Sequence, residues 1–277
     1  MAKNGQEAVV RVPDGMTIDS PIELGLEASG SDEPITLTVQ AGEKSCATIL
    51  LRLEGGAAKS LRINLSVVVG KKSNIRIVEI QNLPSSTDYV AFRKSDVGTG
   101  ATLDQILIQL GAQTGSSTLD QTTRGSNATL NAHALFIARK KPHHSFKLNQ
   151  VANHSNSTVK SVLKSIASDI GTVYAEGRIL IPKNTHGIEG HLQLDGLLLS
   201  RDAHICFVPA LEINTNDVKV GHGASVSNLN EENLFYLTSR GLDPDEARRL
   251  MVRGFVSDVT DRLADLPELR DEVMSLI

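Results

Sequence analysis

The side chains best equipped for chemistry lie late in the chain, between positions 204 and 222. His222 stands between Gly221 and Gly223, which let a backbone or a ligand approach closely. A neutral imidazole is a competent metal ligand near pH 7. Cys206 is the thiol nearest to it; by strand alternation it shares a face with His204, while Ile205 and Phe207 share the other. Glu212 and Asp217 flank the same stretch and offer carboxylate oxygens. Each has a plainer reading. The His could close a strand through a backbone hydrogen bond, the thiol could pack as a small hydrophobe, and the carboxylates could be solvated or form turns. Elsewhere the signal is thin. Cys46 belongs to the apolar run 46–50 and reads as packing. Pro142-His143-His144 sends adjacent imidazoles to opposite faces of a strand, and His133, His154, His186 and His191 lack ligand spacing.

The elements that must position these residues are strands. Residues 61–67 alternate apolar and polar, as a half-buried strand should. Similar segments occupy 7–12, 35–39, 48–53, 75–80, 103–110, 132–137, 173–181 and 191–199. Clusters of turn-forming residues at 55–56, 71–74, 98–100, 115–117 and 124–127 punctuate them. Residues 158–167 come nearest to an amphipathic helix but are too β-branched to favour one. Roughly ten short strands with tight turns suggest a sandwich, a barrel or a solenoid. The echo of Thr102-Leu103-Asp104 in Thr118-Leu119-Asp120 and Thr129-Leu130-Asn131 favours the solenoid, because equivalent positions on successive coils stack. No hexapeptide period is sustained, which argues against a left-handed acyltransferase-type helix.

From about residue 228 the pattern turns helical. Asn230 is a plausible N-cap for residues 231–240, with Glu231 and Glu232 in the first turn and Gly241 after the last. Asp243-Pro244-Asp245-Glu246 supplies an N-cap, a proline at the first helical position and an acidic third residue. Ala247, Leu250, Met251, Phe255, Val259 and Leu263 then recur at helical spacing, and Leu266-Pro267 starts a last short helix to Met274. The expected organisation is a β body over 1–227 and a small helical domain over 228–277.

Composition narrows the function. The 277 residues are 40% hydrophobic and 22% charged, with a net charge of -4, so neither nucleic acid nor an anionic membrane is an expected partner. No apolar run reaches the ~20 residues of a membrane-spanning helix. The first residues lack the pattern of a secretion signal, and two cysteines make no disulfide framework, so the expected setting is the cytoplasm. Aromatic residues are 3% of the chain, which speaks against a β-helix carbohydrate-active enzyme with aromatic sugar platforms.

Residues 216–255 carry a resemblance. Asp217-Val218, His222-Gly223-Ala224, Leu234-Phe235-Tyr236-Leu237, Ser239-Arg240-Gly241, Glu246-Ala247 and Gly254-Phe255 are similar, in order, to the C-terminal signature of the SufB/SufD family of iron–sulfur cluster assembly proteins. Gly177-Arg178-Ile179, Thr185, residues 197–200 and residues 209–213 match upstream. The resemblance implies a mainly β chain, a right-handed parallel β-helix with a small C-terminal α-helical domain. It implies a non-enzymatic scaffold or assembly subunit for a transient iron–sulfur cluster, with His222 at the place of the family's interface His; Cys206, Glu212 and Asp217 are the further candidate ligands by residue type and position. It implies that the tail docks a SufC-type ABC ATPase; Leu234, Phe235, Tyr236, Leu237, Arg240, Met251 and Phe255 are the candidates for that surface, and the apolar ones could equally form the tail's own core. This chain would bind no nucleotide itself, and no phosphate-binding G-x-x-x-x-G-K-[ST] loop occurs. Pairing is expected with a second copy or with a SufB/SufD paralogue.

The chain resembles a short member of the family, without its N-terminal helical region. It also departs from the family pattern. Where SufB-type subunits carry Cys and Glu it has Ala203 and Gly223, and where SufD-type subunits carry a Cys two residues before the interface His it has Val220. The His-Gly-Ala form matches the SufD type. A purely structural, SufD-like partner is therefore an alternative to a cluster-holding scaffold.

Overall fold

The computed structural model describes residues 1–28, 32–55 and 59–277. Gly56, expected in a turn, lies outside the described residues. The chain opens with β1 (Ala2–Lys3), β2 (Glu7–Val12), β3 (Ile22–Ala28), β4 (Ile35–Ala41), β5 (Cys46–Gly55) and β6 (Ser60–Val69). It continues through β7 (Asn74–Asn82), β8 (Asp88–Val97), β9 (Thr102–Gln109), β10 (Thr114–Thr123), β11 (Thr129–Ala138) and β12 (His143–Val151). The last strands are β13 (Thr158–Ala167), β14 (Thr172–Ile181), β15 (Ile188–Leu198), β16 (His204–Ile213) and β17 (Val218–Asn228). Odd-numbered strands form one sheet, even-numbered strands a second, and every pairing is parallel to the strand two places on. The result is a two-walled parallel β-helix.

Asn74, Thr102, Thr129, Thr158 and Glu189 stack in one row, so each coil takes 27 to 31 residues. The Thr102 and Thr129 triplets are indeed neighbours in that row, whereas Thr118 belongs to the other sheet. At one corner a residue of positive φ recurs coil after coil: Lys44, Lys72, Gly100, Asn127 and Asn156. The turn clusters at 71–74, 98–100 and 124–127 are this corner. Left-handed backbone suits Gly and Asn there.

The two walls explain the two hydrophobic grammars. On β6 the pattern is strictly alternating, because the outer face of the even sheet is wet. On β9 and β11 apolar residues run continuously (Ile106-Leu107-Ile108, Ala134–Ala138) and both faces are buried, as expected for a sheet covered on both sides. The cover is helical. After β17 come α1 (Glu231–Ser239), α2 (Pro244–Thr260), a 3-10 turn (Asp261–Leu263) and α3 (Pro267–Leu276). Val252, Val256, Val259, Leu263, Leu269 and Val273 pack on Leu50, Val78, Ile80, Ile106, Ile108, Leu135, Ile137 and Ile166 of the odd sheet. Each such valine stabilises by about 1.5 kcal/mol or more. The tail and the β-helix thus share this outer core.

Several expectations need correction. Among the described residues seventeen strands form, not about ten, because polar-rich strands such as β10 and β12 carry few apolar residues to announce them. Residues 115–117 are not a turn but lie inside β10. Gly115 is there for space: a Cβ would meet Gln109 Nε2 at 2.2 Å and His144 Nδ1 at 2.6 Å. In α2 the buried stripe runs through Val252, Val256 and Val259, while Leu250 points to solvent. Helix α1 ends at Ser239 with Arg240 as its C-cap, and α3 runs past Met274.

Between the walls the core is mostly Leu, Ile, Val and Ala, but it encloses polar side chains that bond one another. Glu79, Arg93 and Tyr89 form one buried group, with Tyr89 donating to Glu79 at 2.7 Å. Ser95 and Gln121 donate to Gln105 (2.8 and 2.7 Å), Gln150 donates to Gln121 (2.7 Å), and Ser161 donates to Gln150 (2.6 Å).

Candidate functional site

The expected site residues fall on the last coil, β16 and β17. These strands end their sheets, so each presents a free edge at the same end of the solenoid. His222 is in register with Leu192, a fully buried side chain between the walls. Its imidazole continues that inner row and is exposed because no further coil covers it. Space in the preceding coil is shared: a Cβ on Gly177 would meet Leu192 Cδ2 at 2.8 Å. Cys206 is in register with Tyr174 on the outer face of the even sheet, and the thiol is exposed. His204 shares that outer face, as alternation requires.

The carboxylates have other partners. Asp217 accepts from the Gly187 backbone N–H at 3.1 Å, holding the corner before β15. Glu212 lies on the outer face, 3.7 Å from Arg178. Beside Cys206 the Tyr174 hydroxyl donates to Glu176 at 2.7 Å, a bond that holds the Glu176 carboxyl below the usual carboxylate range.

The positions that depart from the family pattern are equally explicit. Ala203 is buried. Val220, two residues before His222 on the same face, packs against the core. Gly223 faces outward beneath the Gln193 amide, where a Cβ would lie 2.4 Å from Oε1. His222 therefore has no ligand-type neighbour on its own face of β17. Among the described residues no three His, Cys, Asp or Glu side chains come together as a metal site. An iron–sulfur cluster takes about four ligands, and the described residues of one chain do not bring such a set together.

The tail residues divide by face. Leu234 is buried, and Leu237 and Met251 are half-buried. Phe255 is half-buried against the outer core, its ring 4.9 Å from Lys164 Nζ. Phe235 and Tyr236 are 75% and 57% exposed, and Leu250 adds a third exposed apolar side chain. Arg240 stacks over the Tyr236 ring at 5.3 Å.

One cluster escaped the sequence reading. Lys164 Nζ lies 2.9 Å from Asp195 and 2.7 Å from Asp258 of α2. Asp195 also accepts from Gln193 (2.6 Å) and from Ser225 of β17 (2.7 Å). Burial alone would raise the Asp195 carboxyl, but the bonds from Ser225, Lys164 and Gln193 hold it below its ordinary value. Burial likewise opposes the Lys164 charge, and Asp258 and Asp195 outweigh it. No local spacing announces this cluster, since its members come from four elements.

Comparison with known proteins matches most of the chain to one family. The family described as "SUF system FeS cluster assembly, SufBD core domain" matches residues 28–255. An iron–sulfur cluster assembly SufBD family protein of Mycobacterium leprae is 26% identical over 264 residues, covering 92% of this chain and 30% of that protein. A SufBD family protein of Mycobacterium tuberculosis is 28% identical over 274 residues, 96% of this chain and 66% of the relative. The iron–sulfur cluster assembly protein SufD of Escherichia coli is 29% identical over 153 residues, 55% of this chain and 36% of SufD. The matched segments therefore cover about a third of the M. leprae protein and of E. coli SufD, and two thirds of the M. tuberculosis one. With the match running from the third strand into α2, the chain belongs to the SufBD family of the SUF iron–sulfur cluster assembly system.

Proposed function

We propose that this chain is a non-enzymatic assembly subunit that receives an iron–sulfur cluster as cargo together with a second SufB/SufD-type chain, either its own copy or a paralogue. The observation that carries the reading is that His222 and Cys206 both lie on the free edge strands of one coil yet do not converge within the chain. A free parallel edge exposes unpaired N–H and C=O groups and pairs readily with another chain. Such pairing would bring ligands from two chains to one seam. The tail is the docking element for a SufC-type ATPase, and the exposed Phe235, Tyr236 and Leu250 are its contact surface.

A second reading, a structural partner that organises the complex without a cluster of its own, is favoured by Ala203, Val220 and Gly223, which offer no ligand atoms. Anaerobic reconstitution with iron and sulfide separates the two. A thiolate-to-iron charge-transfer band that disappears in Cys206→Ala or His222→Ala supports the cluster-holding subunit. A colourless homodimer supports the structural partner. The ATPase reading is tested by co-purification of the full chain with a SufC-type ATPase. The full chain is required because the helices share their core with the odd sheet.

A further inference from the structure

Sheet register carries the Lys164 cluster to the edge of the molecule. Leu135, Lys164, Asp195 and Ser225 are successive members of one row across the odd sheet, on β11, β13, β15 and β17. Strands in such a row stand about 4.8 Å apart, and here the last three members are joined by direct bonds. The row begins under α2, where Asp258 and the Phe255 ring close over the ammonium. It ends on β17, three residues from His222.

We infer that Lys164 is a positioning residue that couples the helical tail to the edge strand bearing His222. Its side chain is 9% exposed and its charge is shared between a carboxylate on α2 and one on β15. A partly buried ammonium that loses one carboxylate must be compensated by the other. When α2 moves away, Asp195 becomes the remaining counter-ion, and its bonds to Ser225 and Gln193 are redistributed. The other side-chain anchors of the tail among the described residues do not reach β17: Arg52 of β5 holds Glu272, Arg76 of β7 holds Asp265, and Arg139, just after β11, donates to the carbonyls of Leu276 and Ile277. This inference rests on the docking reading for its biological use, because an ATPase bound to the tail would be what moves α2. The coupling itself belongs to the isolated chain.

Hydrogen–deuterium exchange on the full chain tests it, read on peptides covering residues 218–228. Asp258→Ala removes the tail's end of the bridge at an exposed position, and exchange over 218–228 is expected to rise about threefold or more, as for a local opening made easier. Glu272→Ala loosens the tail at the Arg52 bridge and is expected to leave 218–228 unchanged. Lys164→Met should reproduce the Asp258→Ala effect on 218–228. Should that variant fail to fold, the comparison of Asp258→Ala with Glu272→Ala still decides. Unchanged exchange in Asp258→Ala, or an equal rise in Glu272→Ala, overturns the coupling. No ATPase is needed for this readout. A chain that binds none would lose the docking reading and keep the coupling, and the converse result is equally distinguishable.

Discussion

His222 and Cys206 lie on opposite sides of the solenoid wall: the imidazole continues the inner row of Leu192, the thiol the outer row of Tyr174. Strand parity makes this separation, and rotamer changes do not undo it. Cluster binding is therefore expected only in a species with two chains. After anaerobic reconstitution, size-exclusion chromatography should place the visible absorbance in the dimeric or heterodimeric fraction and leave the monomer colourless. A coloured monomer would refute the two-chain site.

The Glu79–Arg93 pair is the costliest interaction to break inside the solenoid. Both side chains are almost wholly buried, and Glu79→Ala leaves a buried guanidinium without its counter-ion, with the Tyr89 hydroxyl still in reach. The expected loss is about 3–5 kcal/mol, seen as a lower urea midpoint. The double variant Glu79→Leu with Arg93→Met should lose much less, since it removes both charges. Equal losses in the single and double variants would show that packing, not charge, dominates.

The two faces of α1 should respond differently. Leu234→Ala opens the contact beneath the helix and should lower stability by about 2 kcal/mol. Phe235→Ala and Tyr236→Ala remove exposed rings and should leave the melting temperature nearly unchanged while weakening co-purification of a SufC-type ATPase. Undiminished capture by the double variant would exclude these rings as the contact.

Two buried histidines predict acid sensitivity. Burial depresses His133 to about 4, with Arg262 nearby acting in the same direction. Burial also depresses His144 to about 4, and Gln109 bonds its Nδ1 at 2.8 Å. The unfolded chain takes up these protons near pH 6.5, the folded one only near 4. The stabilisation is thus complete above pH 6.5 and is lost as pH falls toward 4, about 3 kcal/mol for each residue. Urea midpoints measured from pH 7.5 to 4.5 should fall, and His133→Gln or His144→Gln should flatten the profile. A wild-type midpoint independent of pH across that window would contradict both assignments.

Much of the architecture was legible in the residues themselves. Strict alternation on 61–67, turn clusters at the positive-φ corner and the caps at Asn230 and Asp243 are local signals, set by contacts within a few residues. The family signature is likewise a matter of ordered residue types. Even the covered wall is written in the continuous apolar runs of β9 and β11, although that meaning appears only when α2 is seen lying on them. What the tertiary structure alone decided is pairing at a distance. Register makes neighbours of residues one coil apart, as in the Lys164–Asp195–Ser225 row, and the facing of the two walls joins residues from different strands, as in the Ser95–Gln105–Gln121–Gln150–Ser161 chain, so neither has a sequence signature. The same register sends His222 inward and Cys206 outward. Side-chain chemistry was readable from residue type, but which groups meet depends on how the coils stack, and parallel stacking is a non-local property of the whole chain.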